Sequence, residues 1–101
     1  MGTKRKPAGR LVIITSQYRD LFVGRITATD AEIARTHAVR ATECRHVAYW
    51  HGPRGGITGL AAEGPDGQSR IGAPTSALLT GVAHVLDVSE AAAARFAAVR
   101  P

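Results

Sequence analysis

A cysteine and a histidine two positions apart are the first candidates for chemistry in this chain. Cys44 precedes His46, and Glu43 is adjacent. In an extended strand, residues i and i+2 project to the same face, so a thiol and an imidazole at this spacing can meet and lower the pKa of the thiol. However, no oxyanion-type motif surrounds the pair, and a free cysteine is more often a small buried hydrophobe. The sequence therefore predicts no catalytic residue and a protein that is not an enzyme.

The four histidines are the next candidates, as metal ligands. His46 and His51 bracket an aromatic segment, whereas His37 and His84 stand elsewhere in the chain. An i, i+5 spacing puts two residues on opposite faces of a strand, and His84 lies among apolar residues, where a hydrogen-bonded core histidine is the more common outcome. With a single cysteine, no spacing is typical of a zinc site. We expect no metal site and no cofactor.

Arginine and aromatic residues cluster around one glycine-rich loop, residues 52–56. Arg45, Tyr49 and Trp50 precede this loop, and Arg54 lies within it. Aromatic stacking combined with arginine is a common way of holding a nucleotide, and a helix that starts after glycines can bind an anion. We therefore predict these four as ligand-binding residues. Two alternatives stay open: the loop is a flexible connector, since it lacks the Gly-Lys-Ser/Thr of a phosphate loop, and the two aromatic residues belong to the core.

Four of the thirteen basic residues lie within the first ten positions. The other nine nearly balance the eight acidic residues, so the net charge of +5 is concentrated at the N-terminus. We predict a basic arm over residues 1–10, in which Lys4, Arg5, Lys6 and Arg10 contact nucleic-acid phosphates. The contact would be non-specific, because no helix-turn-helix or zinc-finger pattern supports reading of the base sequence. A solvated tail is an equal alternative.

The elements that must position these residues read as one small β-rich domain over residues 11–101. We predict an α+β fold, with a mainly antiparallel sheet or a small barrel, a short mid-chain helix and a C-terminal helix. The predicted strands are 11–15, 21–28, 31–41, 45–50, 70–74 and 76–88, and the predicted helices are 57–63 and 90–99.

Several residues predict local detail within these elements. Gly24 interrupts a strand and indicates a bulge or a close approach of two backbones, and Gly81 indicates a bend in the longest strand. Ser89 predicts the N-cap of the last helix, with Glu90 favourable in its first turn. Residues 31–41 are ambiguous, because Ala, Glu and Arg suit a helix, but the short polar connection before them favours a returning strand. We favour the strand.

The aromatic segment before the glycine-rich loop resembles a family of small, functionally uncharacterised proteins from tailed-phage and prophage genomes. Members of that family carry Arg-Arg-Ile-Trp-Tyr-Trp and, further on, a Leu-Ala-x-Glu-Gly helix stop. Here Tyr49 and Trp50 match the first pattern directly, and residues 60–64 match the helix stop. Ala48 replaces the first Trp of the pattern. The resemblance covers residues 12–95 and implies a small β-rich domain of phage type.

The resemblance implies a non-enzymatic phage- or prophage-type accessory protein that acts by binding. A chain this short buries a modest core, so we expect a homo-oligomer, serving as a virion or assembly component or as a partner-binding protein. One alternative is an inhibitor of host antiviral defence that captures a phage or host protein or an anionic nucleotide signal. Another is a nucleic-acid-binding protein that uses the basic arm. With no signal peptide and no long apolar run, we expect no membrane partner and a place in the host cytoplasm or the virion.

Overall fold

The computed structural model describes residues 9–101, in which six antiparallel strands form one sheet and three helices accompany it. The predicted α+β class is confirmed. The strands are β1 Arg10–Ser16, β2 Leu21–Ile26, β3 Ala38–Tyr49, β4 Arg70–Ile71, β5 Thr75–Thr80 and β6 Val82–Asp87, and the helices are α1 Asp30–Thr36, α2 Gly56–Glu63 and α3 Glu90–Ala98. None of these helices is long and apolar enough to cross a membrane.

The sheet is open, so the small barrel that the sequence allowed is wrong. The strand order is β4-β3-β2-β1-β6, and β5 pairs with the N-terminal half of β3. Within residues 9–101, β5 pairs only with β3 and β6 only with β1, which leaves both as edge strands. Gly81, with a φ of +63°, separates β5 from β6. The bend predicted at this glycine is therefore a break between two strands that pair at different places in the sheet.

The strand predicted over residues 31–41 is wrong for its first part, which forms α1. Thr29 caps this helix: its hydroxyl accepts the N–H of Glu32 at 3.2 Å, and the Glu32 carboxylate accepts the N–H of Thr29 at 3.0 Å. This reciprocal capping box satisfies two N–H groups that a helix start otherwise leaves unpaired. His37, with a φ of +54°, ends the helix, and β3 starts at the next residue.

Each face of the sheet carries an apolar cluster. The first cluster joins the sheet to α2 and α3, and the second joins it to α1. The first consists of Ile13, Leu21, Val23, Val47, Leu60, Ala61, Ile71, Phe96 and Val99. The second consists of Val12, Ile14, Ile26, Ile33, Val39, Ala41, Cys44 and Val82. Successive residues of β1 alternate between the clusters, which is why this strand is a continuous apolar run.

A β-bulge in β3 determines which side chains in the second half of that strand point towards each apolar cluster. Val23 of β2 pairs with Arg45, but Arg25 pairs with Thr42, so β3 holds one residue more than β2 over the same span. The inserted residue is at Glu43, whose φ of +50° is in the left-handed region. Because an extra residue shifts the alternation by one, Arg45 lies on the face of the first cluster rather than the second.

Gly24 lies opposite the bulge, which confirms the predicted close approach of two backbones. A Cβ at this position would lie 3.1 Å from the Cα of Cys44 and 3.3 Å from the Cβ of Ala41. Such distances are shorter than ordinary van der Waals contact between carbon atoms. The glycine therefore lets β2 approach the bulged part of β3.

The joint between α2 and α3 depends on Gly64 and Ser89. Ser89 accepts the N–H of Ala92 at 3.0 Å, which confirms the predicted N-cap, and donates its hydroxyl to the carbonyl of Ala62 at 2.6 Å. Gly64 ends α2 with a φ of +79°, and a Cβ there would lie 2.8 Å from the Cα of Ala92 and the Cβ of Arg95. Close contact between the helices therefore needs a glycine at this position.

Replacing Gly64 by alanine should destabilise the domain, because alanine tolerates the positive φ poorly and its Cβ would collide with backbone atoms of α3. We expect the free energy of unfolding in urea to fall by roughly 2–4 kcal/mol. Gly67→Ala is the matched control, since a Cβ there would have no atom of residues 9–101 within 4 Å; it should change stability by less than about 1 kcal/mol. Equal losses for the two variants would contradict this role of Gly64.

Candidate functional site

Arg45, predicted to bind a ligand, is tied to main-chain carbonyl groups. Its Nε donates to Gly72 at 2.7 Å, its Nη1 to Phe96 at 2.7 Å, and its Nη2 to Val99 at 2.5 Å and Ile71 at 3.5 Å. Burial lowers the pKa of this guanidinium. Two of the acceptors lie at the C-terminal end of α3, where a positive charge is favourable. The side chain therefore fastens α3 to the sheet and holds the end of β4 beside β3, and most of its donors are already in use.

The other three predicted ligand-binding residues do not form a common site with Arg45. Tyr49 is exposed at the end of β3, and Arg54 is exposed in the glycine-rich loop. Trp50 packs partly buried against the first cluster, which is the core position weighed for it from the sequence. None of the three lines the cleft that contains Arg45.

The backbone conformation of the glycine-rich loop accounts for its glycines. Gly52, Gly55 and Gly56 have positive φ values. The chain then folds back onto α2 so closely that a Cβ on Gly59 would lie 1.7 Å from the carbonyl oxygen of Arg54. Backbone shape alone explains the glycines of the loop, in line with the connector alternative.

Cys44 and His46 are poorly placed to act as a nucleophile and its base. Cys44 is 2% exposed in the second cluster, and burial raises the pKa of its thiol. A raised pKa keeps the sulfur protonated, whereas a nucleophilic cysteine needs a lowered one. The exposed His46 ring lies beside Phe22, with ring centroids 5.2 Å apart. These positions favour a structural role for both residues.

His51 forms a pair with Asp66 near the surface. The Nδ1 of His51 lies 2.6 Å from the Oδ2 of Asp66, and the Oδ1 accepts the N–H of Gln68 at 2.9 Å. These hydrogen bonds lower the pKa of Asp66, and the bond with His51 has the largest effect. Ser69 lies close by, but its hydroxyl accepts the backbone N–H of His51 at 2.9 Å. The three residues therefore connect two loops rather than forming a Ser-His-Asp triad.

The remaining two histidines, His37 and His84, line a second cleft between α1 and β6, and His84 is exposed there rather than a core residue. His37 ends α1, and the Nδ1 of His84 lies 3.2 Å from the hydroxyl of Thr15. Between residues 9 and 101, no group of three or more His, Cys, Asp or Glu side chains could hold a metal ion.

Arg10, predicted as the last residue of the basic arm, is the first residue of β1. Its guanidinium pairs with Asp30 and, at 3.0 Å, with Asp87. These partners, the hydrogen bond with Asp30 above all, raise the pKa of Arg10. Two carboxylates already compensate its charge, which counts against a phosphate contact at this position. The other predicted contacts, Lys4, Arg5 and Lys6, lie outside the described residues.

A cleft of about 350 Å³ opens between the bulged part of the sheet and α3, and is here termed the bulge cleft. Its walls come from β1, β2, β3 and α3 and from the segments that follow β4 and α3. The lining residues are Leu11, Val23, Arg25, Glu43, Arg45, Pro74, Ala93, Phe96, Ala97, Val99, Arg100 and Pro101. This volume is near the lower end of the range of small-molecule sites.

Three arginines and one glutamate give the bulge cleft a net positive charge. Arg100 is exposed, Arg45 is held by carbonyl groups, and Arg25 lies beside Glu43. The Nε of Arg25 is buried and has no hydrogen-bond partner among residues 9–101; the Oε2 of Glu43 is 3.5 Å from it. A buried donor without an acceptor is uncommon, because most such groups are paired in folded proteins.

The sequence did not reveal Arg25, Glu43 or Arg100 as residues of one site. The one available signal was Gly24, which indicated a bulge or a close approach in β2, and bulges often occur beside binding sites. The residue opposite Gly24 depends on strand pairing, which the sequence leaves open.

The fold and the bulge cleft define a small α+β domain with a basic, partly apolar cleft. The chain belongs to the family described as "Domain of unknown function (DUF6948)", whose model matches residues 9–96. No curated protein and no solved structure matches it. The family description gives no phage origin, so the resemblance to phage proteins stays a prediction.

Replacing Arg45 by lysine should destabilise the domain, although the charge is kept. A single ammonium group cannot reach carbonyl groups on both α3 and β4, so several would lose their donor. We expect a loss of about 2–3 kcal/mol in the free energy of unfolding. Arg54→Lys is the matched control on an exposed loop and should change stability by about 0.5 kcal/mol or less. A stable Arg45→Lys variant would show that the tether is unimportant.

Proposed function

We propose that the protein is a non-enzymatic binding protein that holds a small anionic molecule with an apolar or aromatic body in the bulge cleft. The observation that carries this proposal is the composition of that cleft, in which buried apolar side chains form the floor and three arginines, of which Arg100 is exposed at the rim, add positive charge. An anionic nucleotide is one ligand of this chemistry.

The floor of the bulge cleft suits the apolar part of such a ligand. Phe96 and Val99 of the first cluster contribute to it, together with Leu11 and Val23 from the sheet. These side chains are held by the packing of α3 on β1 and β2, so little order would have to be gained on binding. A largely preformed apolar surface with a few polar groups is typical of small-molecule sites.

The rim suits the anionic part of the ligand. Arg100 is exposed and can make a bidentate contact to a carboxylate or phosphate. Arg45 has few free donors, but its charge still contributes to the positive potential of the cleft. Cys44, the one nucleophile weighed from the sequence, belongs to the cluster on the other face of the sheet. The arrangement therefore supports binding rather than covalent chemistry.

Among the roles expected from the phage resemblance, this cleft favours capture of an anionic nucleotide signal, as an inhibitor of host defence would require. The virion or assembly role, and a place in the host cytoplasm or virion, rest on the resemblance alone. Nucleic-acid binding rests on Lys4, Arg5 and Lys6, since Arg10 is engaged by two carboxylates.

The proposal is tested by NMR titration with two matched pairs of probes: AMP against adenosine, and benzoate against benzamide. We expect each anion to shift backbone signals of α3 and of the bulge more than its neutral partner does. Arg100→Ala should weaken anion binding at least threefold, because it removes the exposed guanidinium. Arg54→Ala, in the glycine-rich loop, should leave binding unchanged.

A steric variant provides a second test. Ala97→Leu adds bulk inside the bulge cleft, whereas Ala94→Leu adds the same bulk to an exposed position of α3 outside it. Only the first should reduce binding. If neither anion binds, or if Arg54→Ala is the variant that loses binding, the cleft is not the site.

We also propose that the protein forms a homo-oligomer through the free edge of β5. This strand contains no charged residue, and Leu78 in it is 57% exposed. Natural edge strands are usually protected by charges, by an internal proline or by shortness, and β5 shows none of these from Thr75 to Thr80. An uncharged edge can pair antiparallel with the same edge of a second copy around a two-fold axis.

Light scattering checks this proposal by measuring the mass in solution. We expect a dimer or higher oligomer, shifted towards monomer by Leu78→Lys, because a charge beside the paired edge opposes association. Tyr49→Lys is the control, since Tyr49 is a similarly exposed large side chain, at 49%, beyond the β5 pairing. A monomeric wild type, or an oligomer that both variants leave intact, would refute the β5 interface.

A further inference from the structure

We infer that the carboxylate of Glu43 competes with the anionic group of the ligand for Arg25. Glu43 therefore determines which ligand charges the bulge cleft accepts. The inference rests on the proposed function, because it concerns how the same cleft selects its ligand. It assigns to Glu43 and Arg25 a role distinct from that of Arg100 at the rim.

The first step is the contact between the two residues. The Oε2 of Glu43 lies 3.5 Å from the Nε of Arg25, close enough for attraction between the charges. The same Nε is buried, and no group in the described part of the chain accepts its hydrogen bond. The carboxylate therefore compensates the charge of Arg25 without accepting its Nε–H, and that donor remains unused. A ligand oxygen placed with better geometry would gain a charge-assisted hydrogen bond that Glu43 does not make.

The second step is the backbone at Glu43. This residue is the one inserted at the bulge, and its φ of +50° is a conformation in which glutamate is uncommon and glycine is favoured. Packing does not require a glutamate there, because the side chain is 58% exposed. A carboxylate thus occupies a strained position, beside a buried arginine donor and on the wall of a basic cleft.

The third step is the consequence for a ligand. Because Glu43 is largely exposed, its carboxylate can rotate into solvent without disturbing the core. An anion that reaches Arg25 must displace it, whereas a neutral molecule on the apolar floor need not. Removing the negative charge should therefore strengthen the binding of anions and leave the binding of neutral molecules unchanged. If Glu43 merely positioned Arg25, its removal would instead weaken anion binding.

The test compares wild type with Glu43→Gln, which keeps the shape of the side chain, and with Glu43→Gly, which suits the positive φ. Glu63→Gln is the matched control, since Glu63 is exposed at the end of α2 and does not line the bulge cleft. AMP, adenosine, benzoate and benzamide are titrated into each protein. The backbone signals and the Nε–H signal of Arg25 are followed by ¹⁵N NMR.

We expect both Glu43 variants to bind at least one of the two anions threefold or more tightly, with no change for the neutral partner and none in Glu63→Gln. The Arg25 Nε–H signal should shift when the anion is added. If wild type binds an anion in the cleft but the Glu43 variants bind it equally or more weakly, Glu43 is not a competitor, and the proposed function stands. If no anion binds to any of the proteins, both proposals fall.

Discussion

The bulge at Glu43 is the constraint on which the rest of the structure depends. Strand β3 contributes Val39 and Ala41 to the second cluster and Val47 to the first cluster. These residues are separated by even numbers of positions, so a regular strand would place all of them on one face. One inserted residue changes the face, and Gly24 leaves room for it in the neighbouring strand. The same insertion brings the Glu43 carboxylate to the wall of the bulge cleft.

The position of Arg45 follows from that change of face. Turned towards the first cluster, its guanidinium lies under the end of α3 and beside the residues that follow β4. It supplies donors to two carbonyl groups at the C-terminal end of α3: that of Val99, and that of Phe96, which also accepts the N–H of Val99. Since α3 forms one wall of the bulge cleft, the shape of the cleft depends on this tether. Arg45, which the sequence predicted as a ligand contact, thus supports a wall of the bulge cleft.

Local patterns in the sequence predicted much of the fold, but they could not predict contacts between residues that are far apart in the chain. The apolar run of β1, the cap at Ser89 and the glycine at position 24 each carry a signal within a few residues. The start of α1 carries one too, in the spacing of Thr29 and Glu32, whereas the prediction of a strand rests on the short polar connection. The acceptors of Arg45 lie 26 to 54 positions further along the chain. No local pattern could show that an arginine beside aromatic residues would donate its hydrogen bonds to these distant carbonyl groups.

The same limit explains why the candidate site moved from the glycine-rich loop to the bulge cleft. Glycine, arginine and aromatic residues are concentrated in the loop and just before it, between residues 45 and 56, which is the pattern expected of a site formed by one stretch of the chain. The cleft draws Arg25, Glu43 and Arg100 from three distant segments, and only the pairing of β2 with β3 and the docking of α3 bring them together. In the loop, positive φ values and the close approach at Gly59 account for the glycines. In the cleft, packing accounts for the apolar floor but not for a carboxylate at a left-handed position beside an unused arginine donor. Binding of an anion would give that donor the acceptor that residues 9–101 do not provide.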